Sequence, residues 1–418
     1  MSTNNKGWWR YEYTVVLVHW FIWGFVALDR NLIAFLFPKV LPDLKIGYAE
    51  AGMIMSVLGF AWAFSALLGG GISDKVGRKK VIIPVTIAFS LLSWATGLVK
   101  NFGQLIGVRI FMGISEGAYI PTAVATISEE ATPGRRGLML GLHQSAYAVV
   151  GLLLAPIYAT QVAEALGWRW ACYLTIIPGI ILALLHWKFI REPKSTAEVL
   201  QAKREMRKHD IKTEEGVKVT WKDVLKHRNI IVVAIMGIGI MAWLFNFIAF
   251  GTVFLTDLRG IKYLSAGKIM SLFGLGGVVG YIGLNLLSDY IGRKPSAVIS
   301  GICCALVTSL FAYGNTGPGL LMLFIFLMGL FGMGIFVLVV ATIPGEAVPF
   351  ALVGLAAGIA NFIGEFFGAA IMPTIGGLIA KGYGLQACML VSIIGTIVTF
   401  VAALFLKETA PRVLARKA

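Results

Sequence analysis

The sequence predicts an all-α polytopic membrane protein, with twelve transmembrane helices in two pseudo-symmetric six-helix bundles around a central cavity. Three observations predict it. The chain of 418 residues is 58% hydrophobic and only 14% charged, against about 25% charged in a soluble domain. Apolar runs of about 20 residues, the length that crosses a bilayer core, recur from end to end. Two polar stretches recur at nearly one offset, so the six-span unit reads as duplicated.

The first run, 13–37, is too long for a cleaved leader and lacks a small-residue cleavage site, so it is expected to stay as an anchor. Spans follow at 48–72, 81–99, 103–128, 137–163 and 169–190. From Arg191 to Arg228 the character changes. Eleven Lys/Arg and seven Asp/Glu fall there with little apolar periodicity, which predicts a hydrophilic linker with a short amphipathic helix near WKDVLKHR. Six further spans are expected at 230–256, 264–287, 296–313, 319–343, 351–380 and 384–406. The resulting organisation is an N-terminal bundle over 1–190, a cytoplasmic linker over 191–228, and a C-terminal bundle with a cytoplasmic tail over 229–418.

The charges set the orientation. Of 36 Lys/Arg, 26 lie on one side when both termini share it, 8 on the other, and Arg30 and Arg109 lie inside spans. The positive-inside rule then makes both termini cytoplasmic, in a prokaryotic inner membrane. The net charge of +15 does not indicate nucleic acid, because the bases sit in short loops rather than on a basic helix or an aromatic-interleaved patch. Cys172, Cys303, Cys304 and Cys388 all fall in apolar runs without metal or disulfide spacing. The 49 glycines suit close helix packing in lipid.

The repeat is seen in GISDKVGRKK (71–80) against LLSDYIGRKP (286–295), which puts Asp74 and Asp289 215 residues apart. EEATP (129–133) matches GEAVP (345–349), with Glu130 and Glu346 216 apart. Carriers built on such repeats hold substrate near the midplane between them. Gly70-x-x-x-Asp74-Lys75-x-Gly77-Arg78-Lys79 resembles the signature loop of the major facilitator superfamily. The second copy keeps Asp289 and Arg293 but has Asn285 for the glycine and Tyr290 for a base. The resemblance implies the twelve-helix carrier fold and a role for this cluster as a latch of the outward-open state. Physically, Gly70 would let two helices approach, Asp74 would sit near a neighbouring helix N-terminus, and the bases would hold the loop on the anionic cytoplasmic face.

Five charged residues lie deep in spans: Asp29, Arg30, Arg109, Glu116 and Glu365. Each costs about 2.5–3.5 kcal/mol at mid-bilayer on insertion scales, so such residues usually line a cavity or find partners. Arg109, Gly113 and Glu116 share a helix face at i, i+4 and i+7. Asp29 and Arg30 point about 100° apart, which lets one face the central cavity and the other the bundle interior. Arginine stays charged and its planar fork meets a carboxylate bidentately. Burial and a nearby arginine act in opposite directions on a carboxyl's proton affinity, so an anion bound at the arginine is linked to protonation.

The Asp29-Arg30 pair resembles the anion:cation symporter branch of the superfamily. Arg109-x-x-x-Gly113-x-x-Glu116-Gly117-x-x-x-Pro121 is similar to that branch's fourth-span pattern. Ala27 stands where relatives often have tyrosine, and Ile33 where they often have serine. The resemblance implies proton coupling at Asp29 and Glu116 and carboxylate binding at Arg30. Further candidates for substrate binding are Arg109, Gln144, Asn361, Asn246 and Glu365, with His19 a weaker candidate for proton relay.

The expected function is proton-coupled uptake of a small organic anion, a monocarboxylate, by a monomer working by alternating access. It needs no cofactor beyond the coupling ion, no metal and no nucleic acid. No Walker loop, nucleophile elbow or metal motif points to an enzyme. One rival is an exporter or antiporter of organic anions or drugs. GLLLAPIYA lacks the glycine pair of the drug-antiporter motif, and the second half has no deep base for phosphate exchange. The other rival is a membrane sensor or scaffold on a carrier fold, for which the linker offers too little chain to form a domain.

Overall fold

The computed structural model describes residues 10–193, 221–349 and 352–416. Among these it has twelve helices long and apolar enough to cross a membrane: Tyr11–Leu44, Tyr48–Val76, Arg78–Thr96, Phe102–Glu130, Arg136–Leu166, Trp168–Phe189, Arg228–Leu258, Tyr263–Ile291, Arg293–Tyr313, Pro318–Ala347, Val353–Tyr383 and Leu385–Ala403. Most extend beyond the expected spans, because a membrane helix runs on through the interface until a breaker stops it. The first, of 34 residues, is roughly 50 Å long at the α-helical rise, more than the hydrocarbon core requires. Pro318 opens the tenth span at its first turn, where its missing N–H is harmless. Most of the expected linker, 194–220, lies outside the described residues. Its expected short helix is present as Trp221–Leu225, with Val224 buried against Ile230, Val348 and Ala356.

Four spans contain π-helical turns: Tyr147–Leu154, Phe254–Leu258, Leu338–Thr342 and Gly364–Ala369. Hydropathy carries no signal for them. Each rotates the residues that follow relative to an ideal α-helix, and such turns are frequent at functional sites. The first and last of them fall in the symmetry-related fifth and eleventh spans.

The first and seventh spans are the most enclosed, as the centre of each half requires. The halves touch through the side opposite the termini. Tyr48 donates to Asp257 (2.9 Å), Tyr263 donates to the Phe35 carbonyl (3.0 Å), and the Thr374 amide donates to Ser56 (3.0 Å). Nearer the middle, Phe60 and Phe64 of the second span meet Phe362 and Phe366 of the eleventh. Towards the terminal side Leu67, Leu68, Leu138, Leu142, Leu286 and Leu287 are exposed. On the terminal side Arg136–Ala146 packs within its own half, whereas the later part of the same span packs on the eighth, so the molecule is closed on the far side and open on the side of its termini.

Candidate functional site

Asp29 and Arg30 lie mid-way along the first span and are 1% and 3% exposed. They point into two different compartments, as the helix geometry requires. Arg30 faces the interface between the halves. Its Nη2 lies 2.7 Å from Oε2 of Glu365 on the eleventh span, and its Nη1 lies 3.4 Å from Oε1. Trp62 of the second span and Phe245 of the seventh stack on the guanidinium, with ring centroids 4.4 Å and 4.2 Å from Cζ. Cation–π contact of this kind holds a guanidinium in place and is worth more when it is desolvated.

Asp29 faces the interior of the first half. Ser93 donates to its Oδ1 at 2.8 Å, and Thr175 donates to Ser93 at 2.9 Å. Oδ2 has no hydrogen-bond partner. It lines a cavity of about 10 Å³ with Ser93, Thr96, Arg109, Met112 and Cys172, near the lower limit for one water molecule. Ile33 also lines this cavity, with Leu32 and Met112 as its apolar neighbours. Ala27 packs against the fifth span so closely that a methyl on Gly151 would lie 2.6 Å from its Cβ. No aromatic ring fits between these helices, so the departure at Ala27 has a steric cause.

Glu116 is fully buried, and neither of its carboxylate oxygens has a hydrogen-bond partner. The charged groups acting on it are Arg30 on one side and Arg109 with Asp29 on the other, so it lies between the two compartments. The glycines of its motif bring it there. A Cβ on Gly113 would fall 2.5 Å from the Leu58 carbonyl, and one on Gly117 2.5 Å from the Trp62 carbonyl. The fourth span thus lies directly on the second, which also carries Trp62 to Arg30.

Two expected positions, Arg109 and Asn246, are corrected. Arg109 is not at the interface: it is buried in the first half, with Nη1 3.5 Å from the Asp29 carbonyl, because its helix turns that face to the first span. Asn246 is not in the central site. It donates to the Cys388 carbonyl (3.2 Å) and to Ser392 (2.9 Å) of the twelfth span, so its amide joins two helices of one half. Asn361 donates to the Val340 carbonyl of the tenth span at 3.2 Å and is partly exposed. Gln144 is also partly exposed, one residue before Ser145, which receives the Trp20 indole N–H at 3.0 Å. The rings of His19, His143 and His186 are buried in the terminal half of the first bundle, and His19 stacks on His186 at 5.1 Å.

The signature loop is also corrected in detail. Gly69, not Gly70, makes the close approach: a Cβ there would lie 2.7 Å from Ala118 Cα, against 3.6 Å to Pro121 for Gly70. Asp74 is 56% exposed and pairs with Arg78 at 2.6 Å. The carboxylate at the helix N-terminus is Glu192 instead, which receives the backbone N–H groups of Arg78 and Lys79. Arg78 also binds Glu129 at 2.9 Å, while Lys79 reaches the Trp187 carbonyl and Lys75 stays exposed.

The second half repeats the arrangement. Arg293 binds Asp289 (2.6 Å) and Glu346 (2.7 Å), and Glu408 receives the N–H groups of Arg293 (2.7 Å) and Lys294 (3.3 Å). Gly77 and Gly292 turn the chain between helices at φ of 111° and 109°, a conformation side-chain-bearing residues avoid. The counterpart of Glu346 is Glu129 rather than Glu130, which pairs with Arg191 at 3.0 Å. The π-helical turn just before Glu346 adds a residue that the α-helical fourth span lacks, and so shifts the face by one position. The hydrogen bond to Glu130 raises the proton affinity of the Arg191 guanidinium above its ordinary value.

Ser93, Thr175, Tyr147, Phe245, Glu192 and Glu408 were not among the expected site residues. Tyr147, on its π-helical turn, receives the Asn31 amide at 3.4 Å beside Arg30. A signal existed for the two glutamates, since Glu192 and Glu408 are separated by the 216-residue repeat offset.

Comparison with known proteins agrees with this architecture. The profile of the Major Facilitator Superfamily matches residues 20–366. The chain is 27% identical over 301 residues to the hexuronate transporter of Bacillus subtilis (strain 168), covering 71% of this chain and 70% of that protein. It is 27% identical over 381 residues to the cis,cis-muconate transport protein of Acinetobacter baylyi (strain ADP1), covering 87% of each. A bacterial homologue of the human lysosomal transporter Spinster, solved in an inward-facing and unoccupied conformation, superposes with a TM-score of 0.74 at 13% identity, over 96% of this chain and 98% of that one. The chain belongs to the Major Facilitator Superfamily, and it is a membrane transporter rather than an enzyme.

Proposed function

We propose that this transporter takes up a small organic anion bearing one carboxylate, driven by an inward proton gradient. The observation that carries the reading is the Arg30 fork, held between Trp62 and Phe245 at the junction of the halves and already engaged with a carboxylate group. A planar fork in a low-dielectric setting is suited to bidentate carboxylate binding. The spans of the second half carry no arginine or lysine near their middles, which favours one carboxylate over two. Hexuronate and cis,cis-muconate, named for the relatives, are organic acids with one and two carboxylates, which supports the anion class and leaves the one-carboxylate reading to the arginine count alone.

Asp29 and Glu116 are the proposed sites of the coupling proton. Both are enclosed, both have unpartnered carboxylate oxygens, and both lie near Arg109. With both termini cytoplasmic, as the Lys/Arg bias favours, the side on which the halves stand apart faces the cytoplasm. Asp74–Arg78–Glu129 and its repeat would then regroup when that side closes. The protein works as a monomer in a prokaryotic inner membrane.

The test is Arg30→Lys, which retains the charge and loses the fork. Loss of a charge-assisted bidentate contact is worth about 1.5–3 kcal/mol, so binding of the best ligand from an organic-acid thermal-shift screen weakens about 10- to 100-fold with folding intact. Unchanged binding in Arg30→Lys overturns the anion reading.

A further inference from the structure

The Arg30 fork already has a carboxylate partner, and that partner comes from the opposite half. Both terminal nitrogens of Arg30 face the two oxygens of Glu365. The faces of the guanidinium are covered by Trp62 and Phe245, so its edge is the remaining approach. Glu365 lies along that edge, and it is the more exposed member of the pair, with 14% of its side chain accessible against 3% for Arg30. A second carboxylate cannot use the same two N–H groups while Glu365 keeps them.

We propose that Glu365 is a built-in competitor for the transported anion: the incoming carboxylate displaces it from Arg30, and the released Glu365 is relieved by taking a proton. The proposal rests on the reading of Arg30 as the anion site. It is a proton transfer only: a hydrogen ion from water joins a Glu365 oxygen, and the anion's carboxylate replaces Glu365 at the two arginine N–H groups. A partly enclosed carboxylate stripped of its partner is costly, and a proton from water removes that charge.

The placement of Glu365 suits such movement. It lies in the π-helical turn Gly364–Ala369, away from regular i to i+4 bonding. The ionisable groups acting on the pair are Tyr147 of the fifth span and Glu116 and Arg109 of the fourth. The second and seventh spans, which pack on the turn, carry their ionisable residues only near their ends. Because Glu365 ties the second half to Arg30 of the first, displacement also removes the one ion pair between the halves among those described.

The experiment measures binding of D-glucuronate and of cis,cis-muconate to the parent protein, Glu365→Gln, Glu365→Asp and Arg30→Lys across a pH series, by calorimetry in detergent. Glu365→Gln removes the competitor's charge. It is expected to bind at least one probe about tenfold tighter than the parent at neutral and alkaline pH, within the usual range of coupling between sites. The advantage shrinks in acid, where protonation already disables the competitor in the parent. Glu365→Asp, which draws the carboxylate back by one methylene, shifts affinity in the same direction by less and serves if the Gln variant fails to fold. Affinity no tighter than the parent at any pH in the folded variants, including no binding of either probe, overturns the proposal. If Arg30→Lys binds as the parent does, the anion reading itself fails. If Arg30→Lys loses binding while the Glu365 variants match the parent, the anion site stands and only the competitor is refuted.

Discussion

Neutralising Asp29 and Glu116 is expected to separate coupling from binding, with sizes that can be worked from the structure. Glu116→Gln loses no hydrogen bond, since both carboxylate oxygens lack a partner. Asp29→Asn keeps an acceptor for Ser93. Each variant leaves Arg109 the other acid, so neither strands a lone buried charge, which would cost about 3–5 kcal/mol. Folding is therefore expected to change by no more than about 1 kcal/mol, the worth of an ordinary hydrogen bond. The effect on coupling is larger. An inward gradient of one pH unit supplies about 1.4 kcal/mol per proton, or tenfold accumulation at one proton per anion. In proteoliposomes the parent should concentrate its anion about tenfold on such a gradient and acidify the lumen. Both variants should exchange labelled anion across the membrane yet equilibrate to a ratio near one. If both still concentrate substrate on the proton gradient alone, the assignment of the coupling sites is wrong. If only a sodium gradient drives the parent, the coupling ion is wrong while Arg30 is untouched.

Asp74→Asn removes one exposed ion pair, worth roughly 0–1 kcal/mol, and leaves Arg78 its bond to Glu129. Thermal stability should hardly move, but label distances across the terminal side should shift towards the open population seen here; an unchanged distribution refutes the latch. Asn246→Ala removes the amide's bonds to the Cys388 carbonyl and Ser392 and leaves a gap between two helices, so unfolding should become easier by about 1–3 kcal/mol. Anion affinity should stay that of the parent, and selective loss of affinity would return Asn246 to the site.

What could be read from the chain divides along physical lines. Span number and repeat follow from hydropathy and motif spacing, which can be read along the chain alone. The five charges deep in the spans were visible because ionised groups are rare in apolar runs. Their separation into two compartments followed from the 100° step between Asp29 and Arg30. Which carboxylate answers Arg30 was not legible, because Glu365 is 335 residues away and sits on a π-helical turn that hydropathy does not reveal. Gly69 against Gly70, and Glu129 against Glu130, were missed by one residue each. A one-residue error turns a helix face by about 100°, and motif spacing does not fix that angle. Asn246 was misread for a different reason: an amide in an apolar run satisfies itself on a neighbouring helix as readily as on a substrate.

The placement of the charges bears on why Asp and Arg are adjacent. A single turn of the first span serves two compartments only if consecutive side chains diverge, and adjacency is the shortest way to keep them electrostatically linked while they do. Glu116 completes the link, since both Arg30 and Arg109 act on it. Counted together, Asp29, Glu116 and Glu365 against Arg30 and Arg109 leave an excess of one acid. An enclosed group of charges crosses between two openings most cheaply when its net charge is small. One proton brings this group to neutrality, and a bound anion raises the demand again. The same arithmetic that makes the cluster tolerable in a membrane therefore favours proton binding together with the anion, without requiring that either ligand touch the other.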